Sequence, residues 1–476
     1  MSTHKLFPRL NKEQEDELIS NVQQWSLSNG LVMYPPNFEI FQVNVAPITI
    51  YPTPISKKSF DKAMDLQTTY NELYINLISQ HKKYLISILS ELSKFDPNFT
   101  GKLFEIYDKV KNNKQNLSLG IFRSDYMIDQ KKDEIKQIEF NTVSVSFGGL
   151  SNKVSQLHKY LNDSGQYTEY KTKYYEESEL EISSSIREIA QGLAEGDKYY
   201  NGSKKNTILF IVQPNERNCF DQRHIEYELF HSHGLKSIRV ALDEVKEKLT
   251  IYDSKLYLKS TMQEISVIYY RSGYSPDDYK NEENWDNRLY LEESHAIKCP
   301  SILTQLSGSK KIQQLLTNPE ILEKILPDNN LPLLSTFVSI YPLDNSNLGE
   351  KGKELAFSNP NAFVLKPQRE GGGNNIYKSE IPKFLKSIDE KDWAGYILME
   401  LIYPQSFQNK ILRNGDLYNE SIISELGIFG TIIFDENTGD IKSNKNAGWL
   451  LRSKFETSDE GGVAAGFGCV DNIYLY

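Results

Sequence analysis

The chain has 476 residues, of which 39% are hydrophobic and 25% charged, with 22 Phe and 29 Tyr; this predicts a packed protein of two or three lobes and excludes one dominated by disorder. Against 64 Asp and Glu stand 54 Lys and Arg, a formal charge of -10, which disfavours nucleic acid or an acidic membrane surface as partner; anionic small molecules stay open where cations gather in a cleft. Cys219, Cys299 and Cys469 are too widely spaced for a disulfide framework or a metal cluster, Met1 to Pro8 lacks the apolar core of a signal peptide, and no apolar run approaches the ~20 residues of a membrane span, so a reducing, cytoplasmic setting is expected.

In chain order, residues 11–26 and 56–95 carry apolar side chains at helical spacing, Tyr70, Leu73, Tyr74 and Leu77 among them. Between them 41–51 alternates as a strand would, and 117–126 with 136–141 reads as a hairpin. After a polar connector at 195–205 the texture changes to strand 207–212, helix 221–231, strand 237–241 and strand 265–270, the rhythm of a small parallel α/β lobe. Short helices follow, a polar loop at 344–352, and strands near 363, 397, 422 and 447.

The segment with the strongest chemical content joins the strand Phe363-Val364-Leu365 to Lys366, Pro367, Gln368, Arg369, Glu370, Gly371, Gly372, Gly373, Asn374 and Asn375. A lysine delivered by a strand, followed by glycines whose amides approach oxyanions without a Cβ in the way, predicts a phosphate cradle, and Glu370 is placed to give a magnesium ion an oxygen ligand. No Gly-x-x-x-x-Gly-Lys-Ser/Thr and no Gly-x-Gly-x-x-Gly opening a helix occurs, which argues against P-loop and Rossmann folds.

Other segments supply candidate partners. Glu139 and Asn141 point to one face of a strand, a carboxylate and an amide oxygen suited to magnesium, and the hydroxyl- and glycine-rich 142–150 after them can wrap a polar ligand. Arg123, followed by Asp125, and Arg271 close strands and suit carboxylates, with a structural ion pair as the competing role. The loop Glu216-Arg217-Asn218-Cys219-Phe220-Asp221-Gln222 meets a helix N-terminus, where Asp221 reads equally as a cap. Lys310 opens a helix as a second phosphate contact, with Lys311 as the alternative one position on; the strand Ile397-Leu398-Met399-Glu400-Leu401-Ile402 fits an adenine-binding hinge; Glu425, alone in an apolar run, requires a partner. Arg452 is placed to offset charge on a reacting carboxylate, Lys454 to meet nucleotide, and the small residues of 460–468 to close over both.

Taken with Arg-Ser-Asp-Tyr-Met at 123, Ile-Glu-Phe-Asn-Thr at 138, Glu-Arg-Asn at 216, Tyr-Arg-Ser-Gly-Tyr at 270, Ser-Glu-Leu-Gly-Ile-Phe-Gly at 424 and Gly-Gly-Val-Ala-Ala-Gly at 461, these blocks give a chain that resembles eukaryotic glutathione synthetases, members of the ATP-grasp superfamily, over essentially its full length. The resemblance implies an α/β, multi-lobed ATP-grasp-type fold: an N-terminal part of the core with a helical region at 1–205, an inserted substrate-binding α/β lobe at 206–309, and a C-terminal part at 310–476 with a mobile lid at about 340–420 and a glycine-rich loop at about 456–468. It implies ATP-dependent ligation of γ-glutamylcysteine and glycine through an acyl phosphate, by a cytosolic homodimer that needs Mg2+.

In that scheme Glu139, Asn141 and Glu370 hold the metal and Lys310 and Lys366 face the phosphates. Asn375, Tyr377, Met399 to Ile402, Glu425 and Lys454 surround the adenosine, with Glu460 nearby. Peptide and glycine contacts fall on Arg123, on Val143, Ser144, Val145 and Ser146, on Glu216, Arg217, Asn218 and Gln222, on Arg271, Ser272, Gly273 and Tyr274, and on Arg452, Val463 and Ala464. Lys310, Lys366 and Arg452 carry the catalysis by position and charge, and Cys219 is a neighbour. Glu460 stands where the family often has Asp, and Trp449 and Cys219 are local variations. Homoglutathione synthetases of legumes accept β-alanine and differ where Ala464-Ala465 stand here, so glycine is the implied acceptor. Another carboxylate–amine ligase with the same phosphate machinery, or a nucleotide-binding regulator without turnover, are the alternatives.

Overall fold

The structure, a computed structural model, describes residues 7–110, 115–130, 133–200, 206–368, 374–459, 461–463, 466 and 468–476. The first helix, Lys12–Asn29, begins at a reciprocal cap in which Asn11 accepts from the Gln14 amide and Gln14 from that of Asn11; it ends at Gly30, whose φ of 72° suits glycine. The helical region foreseen over 56–95 is two helices, Lys57–Ser79 and Lys82–Leu92. The expected strand at 41–51 is reduced to the pairs Asn44–Val45 and Ile48–Thr49, because Pro47 between them has no N–H to give to a ladder.

The hairpin expected around 130 forms from Leu117–Asp129 and Glu134–Asn141 and lies at the centre of a 13-stranded mixed sheet. On one side Leu117–Asp129 pairs antiparallel with the long strand Asp416–Asp435, which pairs in turn with Ile441–Phe455. On the other side the small lobe contributes Lys236–Ala241, Thr207–Val212, Gln263–Tyr270 and Ile297–Cys299, all parallel. This lobe is not a separate sheet: Ile297–Cys299 joins it to the hairpin through the Ser118–Lys298 pairing.

Period-two alternation along Leu117–Asp129 sends Leu119 and Ile121 to one face and Phe122 to the other, and each face has its own apolar layer. The helix Lys57–Ser79 covers the Phe122 face, where Tyr74 stacks on Phe140 with ring centroids 4.1 Å apart. Gly148–Asp163 and Ser185–Tyr200 cover the opposite face through Leu150, Leu157 and Leu193.

A second, four-stranded antiparallel sheet runs Ile340–Pro342, Tyr396–Glu400, Phe363–Pro367, Ile376–Tyr377. It has its own small core, in which Phe363, Leu365 and Leu398 pack against Ala356, Ile381 and Leu385 of two helices. Among the described residues no helix is long and apolar enough to cross a membrane.

Candidate active site

The register of the large sheet assembles the central cluster. Across the hairpin Arg123 lies opposite Asn141 and Asp125 opposite Glu139. Across the other edge Asp125 faces Gly427, Arg123 faces Phe429, and one strand further Glu425 faces Arg452. Residues two apart share a face, so Glu139, Asn141, Arg123, Asp125, Glu425, Arg452 and Lys454 come from four neighbouring strands to one surface. Gly427 is what makes room: a Cβ there would stand 2.8 Å from both Arg123 Cδ and Asp125 Oδ1.

Asp125 is fully buried and joins three of these groups. Arg123 donates to it bidentately, Nε to Oδ1 at 2.6 Å and Nη2 to Oδ2 at 2.7 Å; Asn141 Nδ2 donates to Oδ2 at 2.9 Å and Arg452 Nη2 at 3.2 Å. Arg452 also pairs with Glu425, which is the partner Glu425 was expected to require. Burial raises the Glu425 carboxyl above its ordinary value against the pull of Arg452, whose own guanidinium stays charged because Glu425 and Asp125 outweigh its burial.

Beside this cluster Lys310 Nζ meets Glu139 Oε2 at 2.6 Å, and Lys366 reaches across from the smaller sheet to donate to the Ile138 carbonyl at 3.1 Å. Burial would raise the Glu139 carboxyl, but Lys310 and Lys366 overcome it and hold Glu139 well below the usual carboxylate range. Burial lowers Lys366 to about 8, only partly offset by Glu139, with Lys310 lowering it further. Two crowded cations next to one acid are arranged for a polyanion. Lys311, the alternative in the sequence, turns away: its ammonium pairs with Asp344 at 3.2 Å, and its backbone N–H donates to Gln368 Oε1 at 2.8 Å.

Glu139 and Asn141 are hard oxygen donors on one face, Glu139 is held ionised, and both fit magnesium; the third expected ligand, Glu370, lies outside the described residues, among which no cluster of three or more His, Cys, Asp or Glu suits a metal. Arg369, Gly371, Gly372, Gly373, Glu460 and Ala464 lie outside them as well. Of the residues expected to surround adenosine, Met399 packs with Val364 and Ile397, and Tyr377, Leu401 and Ile402 lean on that layer, giving an apolar wall. The backbone N–H groups of Glu400 and Leu401 donate to Ser339 and Ala362 carbonyls, so these hinge amides are already engaged within the fold. Asn375 Nδ2 donates to the Tyr377 hydroxyl at 3.3 Å, and Lys454 Nζ to the Asp459 carbonyl at 2.5 Å.

The turn after Asn141 is held from the small lobe. Ser144 and Phe147 both have positive φ, and Asp221 accepts from the amides of Phe147, Gly149 and Leu150 at 2.8, 2.7 and 3.0 Å. Asp221 therefore caps not its own helix but the start of Gly148–Asp163. Arg271 donates to the Val145 carbonyl and Arg123 Nη1 to that of Ser146 at 3.1 Å, so both expected carboxylate binders also brace this turn. Glu216 Oε1 accepts from the Asn218 amide at 2.7 Å; Arg217 Nε donates to the Tyr34 carbonyl at 3.2 Å. Val463 is buried in the same apolar layer as Leu150.

Some buried polar side-chain atoms have no partner among the described residues, core groups such as Ser26 and Ser266 as well as expected ligand contacts. Both amide atoms of Gln222, Asn218 Oδ1, Gln368 Nε2 and Gln305 Oε1 are of this kind. Gln222 and Asn218 were expected on the peptide and Gln368 on the nucleotide. Gln305, whose Nε2 donates to the Gly273 carbonyl at 2.8 Å, was not expected, nor was Asp278, which accepts from the amides of Gly273, Tyr274 and Ser275. Gln305 carries no local sequence signal, since its contact is 32 residues away, whereas Asp278 could have been found from Ser275-Pro276-Asp277-Asp278, the pattern of a capping box.

Residues 12–475 match the family described as "Eukaryotic glutathione synthase, ATP binding domain". The chain is 39% identical to the glutathione synthetase large chain of Schizosaccharomyces pombe, covering 97% of this chain and 98% of that one. It is 37% identical to the glutathione synthetase of Dictyostelium discoideum (98% and 100% covered) and 38% to that of Homo sapiens (98% of each). In fold it is similar to the solved apo structure of a glutathione synthetase like-effector from Globodera pallida, with a TM-score of 0.78 over 99% of this chain and 100% of that one at 22% identity. With a match over nearly its whole length, the chain belongs to the eukaryotic glutathione synthetase family.

Proposed function

We propose that this site joins γ-glutamylcysteine to glycine, converting ATP to ADP and phosphate, and that the chain is an ATP-dependent carboxylate–amine ligase making glutathione. The observation that carries the reading is the adjacency on one surface of the Glu139, Lys310 and Lys366 group with the Arg123, Asp125 and Arg452 group. One end suits a triphosphate and the other a carboxylate, which are the two partners of the first step.

The γ-phosphate passes to the cysteinyl carboxylate, the glycine amine attacks the acyl phosphate, and phosphate leaves. Lys310 and Lys366 fix the phosphate chain. Arg452 offsets the charge the carboxylate brings to the site and then the charge that grows on the tetrahedral oxygen when the amine adds. Glu139, Asn141 and Glu370 would hold Mg2+, which when bound draws charge from the phosphoryl oxygens. No covalent nucleophile on the protein is needed, so Cys219 stays a neighbour. The peptide lies along the 143–146 turn toward Gln222, Asn218 and Arg271, and adenosine against Met399 and Tyr377. The lobes follow as 1–205, 206–309 and 310–476, with the four-stranded sheet as a lid. The assembly proposed is a cytoplasmic homodimer; support for a subunit contact comes from Ile40, Phe41 and Val43, three exposed apolar side chains in one segment.

The test is phosphate release from Mg-ATP with γ-glutamylcysteine, comparing glycine, β-alanine and no acceptor, with products identified by mass. Release that depends on both γ-glutamylcysteine and glycine, yielding glutathione, is the expected result. ATP binding without release under any acceptor would overturn it.

A further inference from the structure

We propose that Asp125 is the positioning residue that ties the carboxylate end of this site to its metal end, an assignment that rests on the proposed ligation. Its two oxygens accept four hydrogen bonds, two from Arg123 and one each from Asn141 and Arg452. One falls on Oδ1 and three on Oδ2, and the carboxylate is fully buried, so it acts through these three side chains.

Its effect on Asn141 is specific. The Asn141 Nδ2 donates to Asp125 Oδ2 at 2.9 Å and to the Arg123 carbonyl at 3.5 Å. With its NH2 held by Asp125, the amide oxygen is the atom left to meet a hard cation. The same carboxylate fixes the plane of Arg123, which then reaches the Ser146 carbonyl, and holds one nitrogen of Arg452. A single negative charge thereby orients one group that binds metal and two that face peptide. The sheet is built to keep it there: a Cβ on Gly427 would stand 2.8 Å from Asp125 Oδ1.

Asp125→Asn tests this, because the amide has the same shape but brings an NH2 that competes with Asn141 for orientation. Two readouts are taken: the KM for γ-glutamylcysteine, and the affinity of the enzyme–ADP complex for Mn2+ followed by electron paramagnetic resonance. The expected result is a folded protein whose KM rises about tenfold and whose Mn2+ affinity falls about fivefold or more. A folded variant with both constants within about twofold of the parent overturns the proposal, even if its melting temperature falls, since that pattern is stability alone. Should Asp125→Asn not fold, the pair Asp125→Asn with Arg123→Gln removes the unpaired buried cation. Measured against Arg123→Gln alone, it must still weaken Mn2+ binding, and equal affinity overturns the proposal. A parent enzyme that makes no glutathione overturns the proposed function instead, while the Mn2+ measurement still tests Asp125.

Discussion

Lys310 Nζ stands 2.6 Å from Glu139 Oε2, joining the first turn of a helix to the hairpin strand Glu134–Asn141. The pair is nearly dry on the lysine side, where 6% of the side chain is exposed. Glu139→Gln keeps the shape and removes the charge, which leaves Lys310 without its acid and the metal face without its carboxylate. Phosphate release at fixed Mg2+ is expected to fall by about 100-fold or more, because both the cation and the phosphates lose a charged partner. Turnover within a few-fold of the parent, at matched melting temperature, would remove Glu139 from the metal site.

Lys366 makes the site sensitive to pH. Its ammonium is lowered from an ordinary 10.5 to about 8 in the folded protein, burial being the larger cause. Between those values the folded chain has released a proton that the unfolded chain keeps, so stability rises with pH across that window while the cation offered to phosphate is lost. Nucleotide affinity therefore falls as pH rises through about 8, and binding takes up a proton there. Calorimetric titration at pH 8 in two buffers of different ionisation enthalpy should show this uptake; identical heats would exclude it.

Gly427→Ala is expected to cost about 1–3 kcal/mol of stability by overpacking, since its methyl would press on both Arg123 and Asp125. The peptide KM should rise with it, as the arginine cannot yield without leaving its carboxylate. Chemical denaturation and steady-state kinetics on the same preparation separate the two effects.

Local pattern made much of this site legible. Glu139 and Asn141 share a face by simple alternation, and Lys366 follows from a strand running into glycines. The helix start at Lys310 left one residue of ambiguity, and only the folded contacts separate the two lysines, Lys310 turning to Glu139 and Lys311 to Asp344 and Gln368. Asp125 was visible as half of an ion pair, but its reach to Asn141 and Arg452 depends on four strands brought into register from 117–129, 134–141, 416–435 and 441–455. Likewise Asp221 looked like a cap for its own helix, and no local rule indicates that it serves a helix starting 73 residues earlier. The continuous sheet was hidden for the same reason: its joint at Ser118 and Lys298 links segments 180 residues apart.

Asp221→Ala removes the acceptor for three amides at once. Buried donors left unsatisfied, together with a lost helix cap, cost on the order of 2–4 kcal/mol. The turn carrying Val145 and Ser146 would loosen with them, so the peptide KM should rise while nucleotide affinity, read by calorimetry, stays near the parent value. A variant of unchanged melting temperature would show that the three amides find other partners.

Gln222 allows stability and binding to be moved in opposite directions. Its side chain is 1% exposed, and both of its polar atoms lack partners among the described residues. A buried amide in that condition is a burden on the unliganded fold, on the order of 1–3 kcal/mol, and it persists where a ligand relieves it. Gln222→Leu has nearly the same shape and no polar atoms, so the unliganded protein should melt at the same temperature or higher. The KM for γ-glutamylcysteine should rise by about tenfold or more, because a site made for hydrogen bonds now meets a polar substrate with an apolar group. Structural need alone predicts a lower melting point and little change in KM, so a paired melting curve and peptide titration decide between the two roles of the residue.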